Sequence, residues 1–313
     1  MDVEKLKDRN FLYYGLILAA WLLYMYLTFY APLTPAVKTL GLHEFQLNLL
    51  RITITIPYLA IWLVTMYGIL KLNSYVKRTR QFPDGKALSK LASGLLILLI
   101  GVVFSSVLSA LRSFLTFNSE VLAPITILIN YSYVVFPLIG FLFIFLGSKD
   151  IIKIVKKATI PAGQKIVYLA PLLLFAVLYV WFIFTNPIRQ ISTEPTIPAT
   201  YYLPDSLIIL TIILPVIIGW VLGILAALNF QFYSKNVKGI IYRDSLSLFV
   251  RGIYFIIGSS IFLQALLSLG SVRLINLGLQ SLLILIYLFL AIQALGYYLI
   301  FLGSNKLTKI EDV

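Results

Sequence analysis

Long apolar runs separated by short polar segments divide the whole chain. Each run is long enough to cross a hydrocarbon core as a helix, which takes about 20 residues. The eight runs cover residues 11–30, 48–70, 91–116, 121–147, 166–185, 205–230, 246–270 and 274–302. The pattern predicts an all-α integral membrane protein with eight transmembrane helices.

The composition agrees with this prediction. Hydrophobic residues make up 60% of the chain and charged residues 12%, with a mean hydropathy of +0.97. Soluble domains carry about a quarter charged residues, so water is the wrong solvent for most of this surface. The longest segment between runs, residues 186–204, is too short for a folded domain. We therefore expect no nucleotide-binding domain and no ATP-driven function.

The basic residues indicate the orientation. Most of the 25 Lys and Arg residues lie before the first run, after the second, fourth and sixth runs, and after the eighth. The exceptions are Lys38, Arg51, Arg112, Arg189 and Arg273. Because basic segments stay in the cytoplasm during insertion, we expect a multi-pass protein of the cell membrane with both termini cytoplasmic.

The net charge of +13 then fits anionic lipid headgroups at the cytoplasmic surface. Nucleic-acid binding would need a basic face on a folded soluble domain, and the runs leave no room for one. We expect the lipid bilayer as the main partner and no nucleic acid. A protein partner or a homo-oligomer stays open.

The two halves of the chain resemble each other. The segment GFLFIFLGS at 140–148 returns as GYYLIFLGS at 296–304. Matches at an offset of 158 residues include Pro57 with Pro215, Trp62 with Trp220, Tyr75 with Tyr233 and Gly94 with Gly252. Such residues seldom match by chance, unlike leucines. The pattern predicts two tandem four-helix units, 1–157 and 158–313, related by a pseudo-two-fold axis along the membrane normal.

The third and seventh runs are the most polar. Their polar residues predict an axial polar lining made of Ser105, Ser106, Ser109, Ser259, Ser260 and Gln264. The alternative is close helix packing, because small residues let helices approach each other in lipid. For Gln293, in the eighth run, we expect an interhelical hydrogen bond.

Four other residues are candidates for function. Pro57 and Pro215 predict kinks at matched places, which mark either a binding site or only a shared helix shape. Arg51 and Arg112 form a predicted outer basic pair, with snorkelling to the interface as the alternative.

Two predictions concern the helix ends. The Gly-Ser pairs at 147–148 and 303–304 predict the ends of the fourth and eighth helices. The twelve acidic residues are all predicted in loops or tails. A proton relay or a carboxylate cation site inside the membrane is therefore not expected.

Metal and catalytic chemistry lack their usual residues. The chain has no cysteine and a single histidine, His43, so we expect no metal site and no cofactor. Acid–base catalysis has no candidate group within the apolar runs, and we expect no enzyme activity. The sequence favours a non-ATPase transporter or channel for a small solute, ion or lipid. The alternative is a non-catalytic membrane anchor or scaffold subunit of a larger complex.

Overall fold

The computed structural model describes residues 3–30, 44–79, 81–114, 119–154, 162–185, 209–236, 240–271 and 279–308. Every regular element in these ranges is helical. The helices are α1 (Val3–Tyr30), α2 (Glu44–Arg78), α3 (Pro83–Phe114), α4 (Ser119–Ile154), α5 (Ala162–Thr185), α6 (Leu214–Asn236), α7 (Ile240–Ser271) and α8 (Leu279–Thr308). A π-helical turn, Ile209–Ile213, leads directly into α6.

Seven of these helices are long and apolar enough to cross a membrane. They are α1 to α4 and α6 to α8, and they support an all-α membrane protein. The apolar part of α5 within the described side chains is shorter, Lys165–Leu178. Of the eight predicted spans, seven are therefore supported, and the eighth, at α5, stays a prediction.

The prediction that the Gly-Ser pairs end two helices is wrong. α4 continues to residue 154 and α8 continues to residue 308. Both glycines serve close packing instead. A Cβ on Gly147 would lie 2.6 Å from the carbonyl oxygen of Ala87, and one on Gly303 would lie 2.8 Å from that of Ser245.

The prediction that all acidic residues lie outside helices is also wrong, because the helices extend beyond the apolar runs. Asp84 lies in the first turn of α3, where the helix dipole favours a negative charge. Lys90 on α3 forms an ion pair with Asp150 on α4. Lys306 on α8 forms one with Asp244 on α7. The acidic residues within helix bounds are Glu4, Asp8, Glu44, Asp84, Glu120, Asp150 and Asp244.

Six helices form a closed cycle of contacts. Around this ring α2 packs on α3, α3 on α4, α4 on α6, α6 on α7, α7 on α8, and α8 on α2. α1 packs on α2 and α3 and exposes much of its apolar surface. α5 packs on α6. The ring therefore has an interior that α1 and α5 flank from outside.

Glycines bring helices together in two matching places. A Cβ on Gly94 of α3 would lie 2.6 Å from the carbonyl oxygen of Gly140 on α4. A Cβ on Gly252 of α7 would lie 2.7 Å from the carbonyl oxygen of Gly296 on α8. Neither crossing has room for a side chain, which is how helices approach closely in lipid.

Matching hydrogen bonds connect the first four helices to the last four. The hydroxyls of Thr53 on α2 and Tyr287 on α8 lie 2.5 Å apart. The hydroxyl of Tyr131 on α4 donates to Thr211, in the turn before α6, at 3.2 Å. Thr211 follows Thr53 by 158 residues, and Tyr287 follows Tyr131 by 156.

One end of the ring, which we call the basic end, collects positive charge. α2, α4, α6 and α8 finish there, and α3 and α7 begin there, as the contacts of Asp84, Asp150 and Asp244 require. The basic residues in the last turns at this end are Lys77, Arg78, Lys153, Lys235 and Lys306.

Candidate solute-binding cavity

A cavity of about 110 Å³ lies within the six-helix ring. Residues of α3, α4, α6, α7 and α8 line it, among them Pro137, which is halfway along α4. A water molecule needs about 10–15 Å³ of such space, so the cavity has room for several waters or one small molecule. Because Pro137 is halfway along α4, the cavity lies at the depth expected for the middle of a membrane.

The serines around the cavity have partners inside the protein. The hydroxyls of Ser105 and Ser132 lie 2.8 Å apart, and Ser105 is also 2.7 Å from the carbonyl oxygen of Gly101. Ser259 donates to the carbonyl of Ile256 at 2.8 Å. None of the described lining residues is charged, and most are apolar. The walls thus suit an uncharged guest.

α6 supplies an aromatic wall. Trp220 is 2% exposed, and its indole Nε1 donates to the hydroxyl of Ser260 on α7 at 3.2 Å. Gly219 faces α4, and a Cβ there would lie at ordinary contact distance, 3.6 Å, from the Leu138 Cα. Val216 completes this side of the cavity. The tryptophan is therefore held in one orientation by packing and by a hydrogen bond.

Gln293 on α8 is the one buried polar side chain of the described lining whose oxygen lacks a partner. It is 9% exposed, and its Oε1 has no hydrogen-bond partner. The predicted interhelical hydrogen bond is therefore wrong for this atom. Leaving a buried polar group unpaired costs about 1–3 kcal/mol, so a cavity occupant that donates a hydrogen bond to this oxygen would be stabilised there.

Across the cavity from Gln293, Pro137 alters the backbone hydrogen bonding of α4. Proline has no N–H, so the carbonyl of Tyr133, four residues earlier, lacks its usual donor in α4. Both Tyr133 and Pro137 line the cavity. The cavity is thus bordered by a glutamine amide on α8 and by an interrupted helix backbone on α4.

The lining residues pair across the two halves of the sequence. At offsets of 158 or 156 residues the pairs are Leu98 with Ile256, Gly101 with Ser259, Val102 with Ser260, Tyr133 with Phe289, Pro137 with Gln293, and Phe141 with Tyr297. The α6 residues Val216, Gly219 and Trp220 break this pattern, because their counterparts on α2, including Trp62, are not among the described lining residues.

The structure brings together half of the predicted axial lining. Ser105, Ser259 and Ser260 line the cavity. Ser106 is buried and donates to the carbonyl of its own helix four residues earlier, at 2.8 Å, outside the described lining. Ser109 is half-buried one turn further along α3. The side chain of Gln264 lies outside the described residues.

Most of the lining residues that the sequence analysis missed lie on α4, α6 and α8. They include Ser132, Tyr133, Pro137, Trp220 and Tyr297. A signal was present, because Pro137 matches Gln293 at the offset of the repeated nine-residue segment. Two helix-breaking or polar residues at matched depth would have pointed to this place.

The other predicted residues are not among the described lining residues of the cavity. Pro57 is inside α2, which continues through it, and Pro215 is the second residue of α6, directly after the π-helical turn. The irregular backbone at Pro215 fits the hydrogen bond that a proline removes.

The two arginines of the predicted outer pair have separate environments. Arg51 donates to the backbone carbonyl of Phe29 on α1 at 2.8 Å and to Asn48 at 3.3 Å. Arg112 is half-buried in the last turn of α3. Arg51 thus fastens α1 to α2. His43 lies outside the described residues, and those residues hold no group of three metal-ligating side chains.

A polar cluster lies at the basic end itself. Tyr233 of α6 donates to Asp84 of α3 at 3.4 Å, and its ring meets that of Tyr242 on α7 at 6.1 Å, edge to face. Asp84 is about 20 Å along α3 from the cavity residue Leu98. Side chains from three ring helices, α3, α6 and α7, therefore meet at this level.

No protein-family model, curated protein or solved structure matches the chain. The geometry of the cavity and the ring therefore carries the functional argument alone.

Proposed function

We propose that this protein is a non-ATPase membrane transporter or channel for a small uncharged solute, which binds in the central cavity. The cavity inside the six-helix ring, halfway along the helices, is the observation that carries the proposal. Substrate sites of many transporters lie near the bilayer midplane, where two structural repeats meet. The chain is then not an enzyme.

The lining favours an uncharged solute over an ion. The described walls are mostly apolar and contain no charged side chain. An ion would lose its hydration there without a counter-charge, which costs several kcal/mol or more. The volume of about 110 Å³ is too small for a lipid molecule.

The proposal includes two tandem units, 1–157 and 158–313, with the basic end in the cytoplasm of a cell-membrane protein. The glycine crossings, the Thr–Tyr hydrogen bonds and the paired lining support the two units. The charge of the basic end supports the orientation by the positive-inside rule. Anionic lipid headgroups are the partner at that end.

A cavity-filling substitution tests the proposal. Purified protein is reconstituted into vesicles, and the flux of urea, acetamide and glycerol is measured by stopped-flow light scattering. The flux of at least one of these solutes should exceed that of protein-free vesicles. Val216→Trp, which adds an indole at the cavity wall, should reduce this flux to the protein-free level.

The matched control is Ile218→Trp, two residues along α6, where the side chain is 43% exposed. It should leave the flux unchanged, and both variants should elute as the parent protein on size exclusion. Flux at the protein-free level for all three solutes would contradict transport and favour an anchor or scaffold subunit. Equal loss in both variants would contradict the cavity as the route.

A further inference from the structure

We infer that the cavity selects solutes with a carboxamide or urea group, and that Gln293 is the residue that recognises them. This inference rests on the proposed function, since it assigns a ligand class to the same cavity. It starts from an unpaired amide: Gln293 is 9% exposed and its Oε1 has no hydrogen-bond partner. The serines nearby are already paired within the protein.

An amide side chain has a donor and an acceptor side by side. Rotation about the last side-chain bond exchanges these two ends, because that torsion is broad and roughly two-fold. The group that completes both ends at once is another amide, which forms two parallel hydrogen bonds. An alcohol presents a single hydroxyl and therefore satisfies the donor and the acceptor of the glutamine amide less well. Carboxylates and ammonium groups carry a charge that the apolar walls disfavour.

The other side of the lining adds a second requirement. Pro137 leaves the carbonyl of Tyr133 without its helical donor, and both residues line the cavity. A ligand with a second N–H₂ group has a donor for this carbonyl as well. Urea has amino groups on both sides of its carbonyl, whereas acetamide has a methyl group in place of one. Urea should therefore be preferred over acetamide.

The matched positions on α4 and α8 explain why the two sides of the cavity contribute different hydrogen-bonding groups. Gln293 occupies the position on α8 that Pro137 occupies on α4. One unit thus contributes a side-chain amide and the other a freed backbone acceptor at the same depth. The remaining lining includes the aromatic residues Phe141 and Trp220, and aromatic rings pack well against planar groups.

Two readouts separate this inference from the proposed function. Binding is measured in detergent by saturation-transfer NMR on the methyl protons of acetamide, with urea as competitor. Flux of urea and acetamide is measured in vesicles. Gln293→Leu should abolish the acetamide signal and lower urea flux about tenfold, the effect of losing paired hydrogen bonds in a buried site. Gln293→Asn, which keeps the amide, should retain part of both.

Two matched variants complete the design. Gln231→Leu removes another glutamine with a buried unpaired Oε1, outside the described lining, and should change neither readout. Pro137→Ala restores the donor to the Tyr133 carbonyl and should reduce the ratio of urea to acetamide flux. Pro124→Ala, at an exposed proline of the same helix, should leave the ratio unchanged.

The outcomes are distinguishable. Acetamide binding that depends on Gln293, without flux, would support the site and overturn transport. Flux blocked by Val216→Trp but unaffected by Gln293→Leu would support transport and overturn the amide site. The absence of both acetamide binding and flux in the parent protein would overturn both, with water as the only occupant of the cavity.

Discussion

Trp62 and Trp220 occupy matching positions, yet only one has a hydrogen bond for its indole. Trp220 Nε1 donates to Ser260 at 3.2 Å. Trp62 is fully buried, at 0% exposed, and its Nε1 has no partner. The residue that matches Ser260 at the offset of 158 is Val102, which has no acceptor. At the position that gives Trp220 its acceptor, α7 thus has a serine and α3 has a valine.

The surroundings of the two tryptophans differ as well. The bonded tryptophan, Trp220, is the one that lines the cavity. Trp62 packs instead in an aromatic cluster, with Tyr24 at 5.9 Å and Tyr58 at 6.3 Å between ring centroids. Of the two matched tryptophans, Trp220 therefore belongs to the proposed site and Trp62 does not. The following predictions test how far the likeness extends.

The largest effect is expected where the two halves agree. Gly94→Val and Gly252→Val should each destabilise the protein by about 3 kcal/mol, because the added carbons meet the backbone of the facing helix. Unfolding in detergent by denaturant titration measures both. Gly258→Val is the control on the same helix as Gly252, since a Cβ there meets nothing within 4 Å. A tolerated Gly252→Val beside a damaging Gly94→Val would break the comparison.

An exchange of residues at the two tryptophan sites should have opposite effects. Ser260→Val should cost about 1–2 kcal/mol by leaving the Trp220 N–H unpaired. Val102→Thr, nearly the same shape, should gain up to about 1 kcal/mol by giving Trp62 an acceptor. Unfolding free energies in one detergent measure both changes.

The neighbouring Val103→Thr serves as the control for the gain, because Val103 is half-buried on the same helix and outside the described lining. If Val103→Thr stabilises as much as Val102→Thr, the gain does not come from Trp62. A neutral Ser260→Val would show that the hydrogen bond of Trp220 is not needed for stability.

The helices were largely predictable from the sequence, and their ends were not. Apolar runs reveal spans because lipid demands a continuous apolar surface and internally satisfied backbone groups. Asp84 and Asp150 were assigned to loops because polarity changes at the membrane surface. The helical backbone continues through that boundary, since its hydrogen bonds do not depend on side-chain polarity.

The site was predictable only where polar residues marked it. Ser105, Ser259 and Ser260 stand out in apolar helices and do line the cavity. Trp220 and Tyr133 gave no such signal, because a residue facing lipid and one facing the interior are equally apolar in a membrane protein. Which face of α4 or α8 turns inward depends on the packing of the ring, and that is a property of all six helices together.

The smallest effect is expected at the ion pairs of the basic end, where the two halves are reversed in charge. Asp150 on α4 matches Lys306 on α8, and Asp244 on α7 matches Lys86 on α3. Asp150 contacts both Lys90 and Lys153 and its side chain is 30% exposed, whereas Asp244 contacts Lys306 at 3.7 Å and is 48% exposed.

Asp150→Asn should therefore cost more than Asp244→Asn, within about 0.2–1 kcal/mol for exposed pairs. Unfolding in detergent at low salt and at 1 M salt measures both, and salt should remove most of either cost because the Debye length falls to about 3 Å. An equal cost that persists in 1 M salt would mean that each aspartate holds its helix pair by local hydrogen bonding. In that case each half would keep a contact within its helix pair, α3 with α4 and α7 with α8. That contact would form whichever of the two helices carries the negative charge.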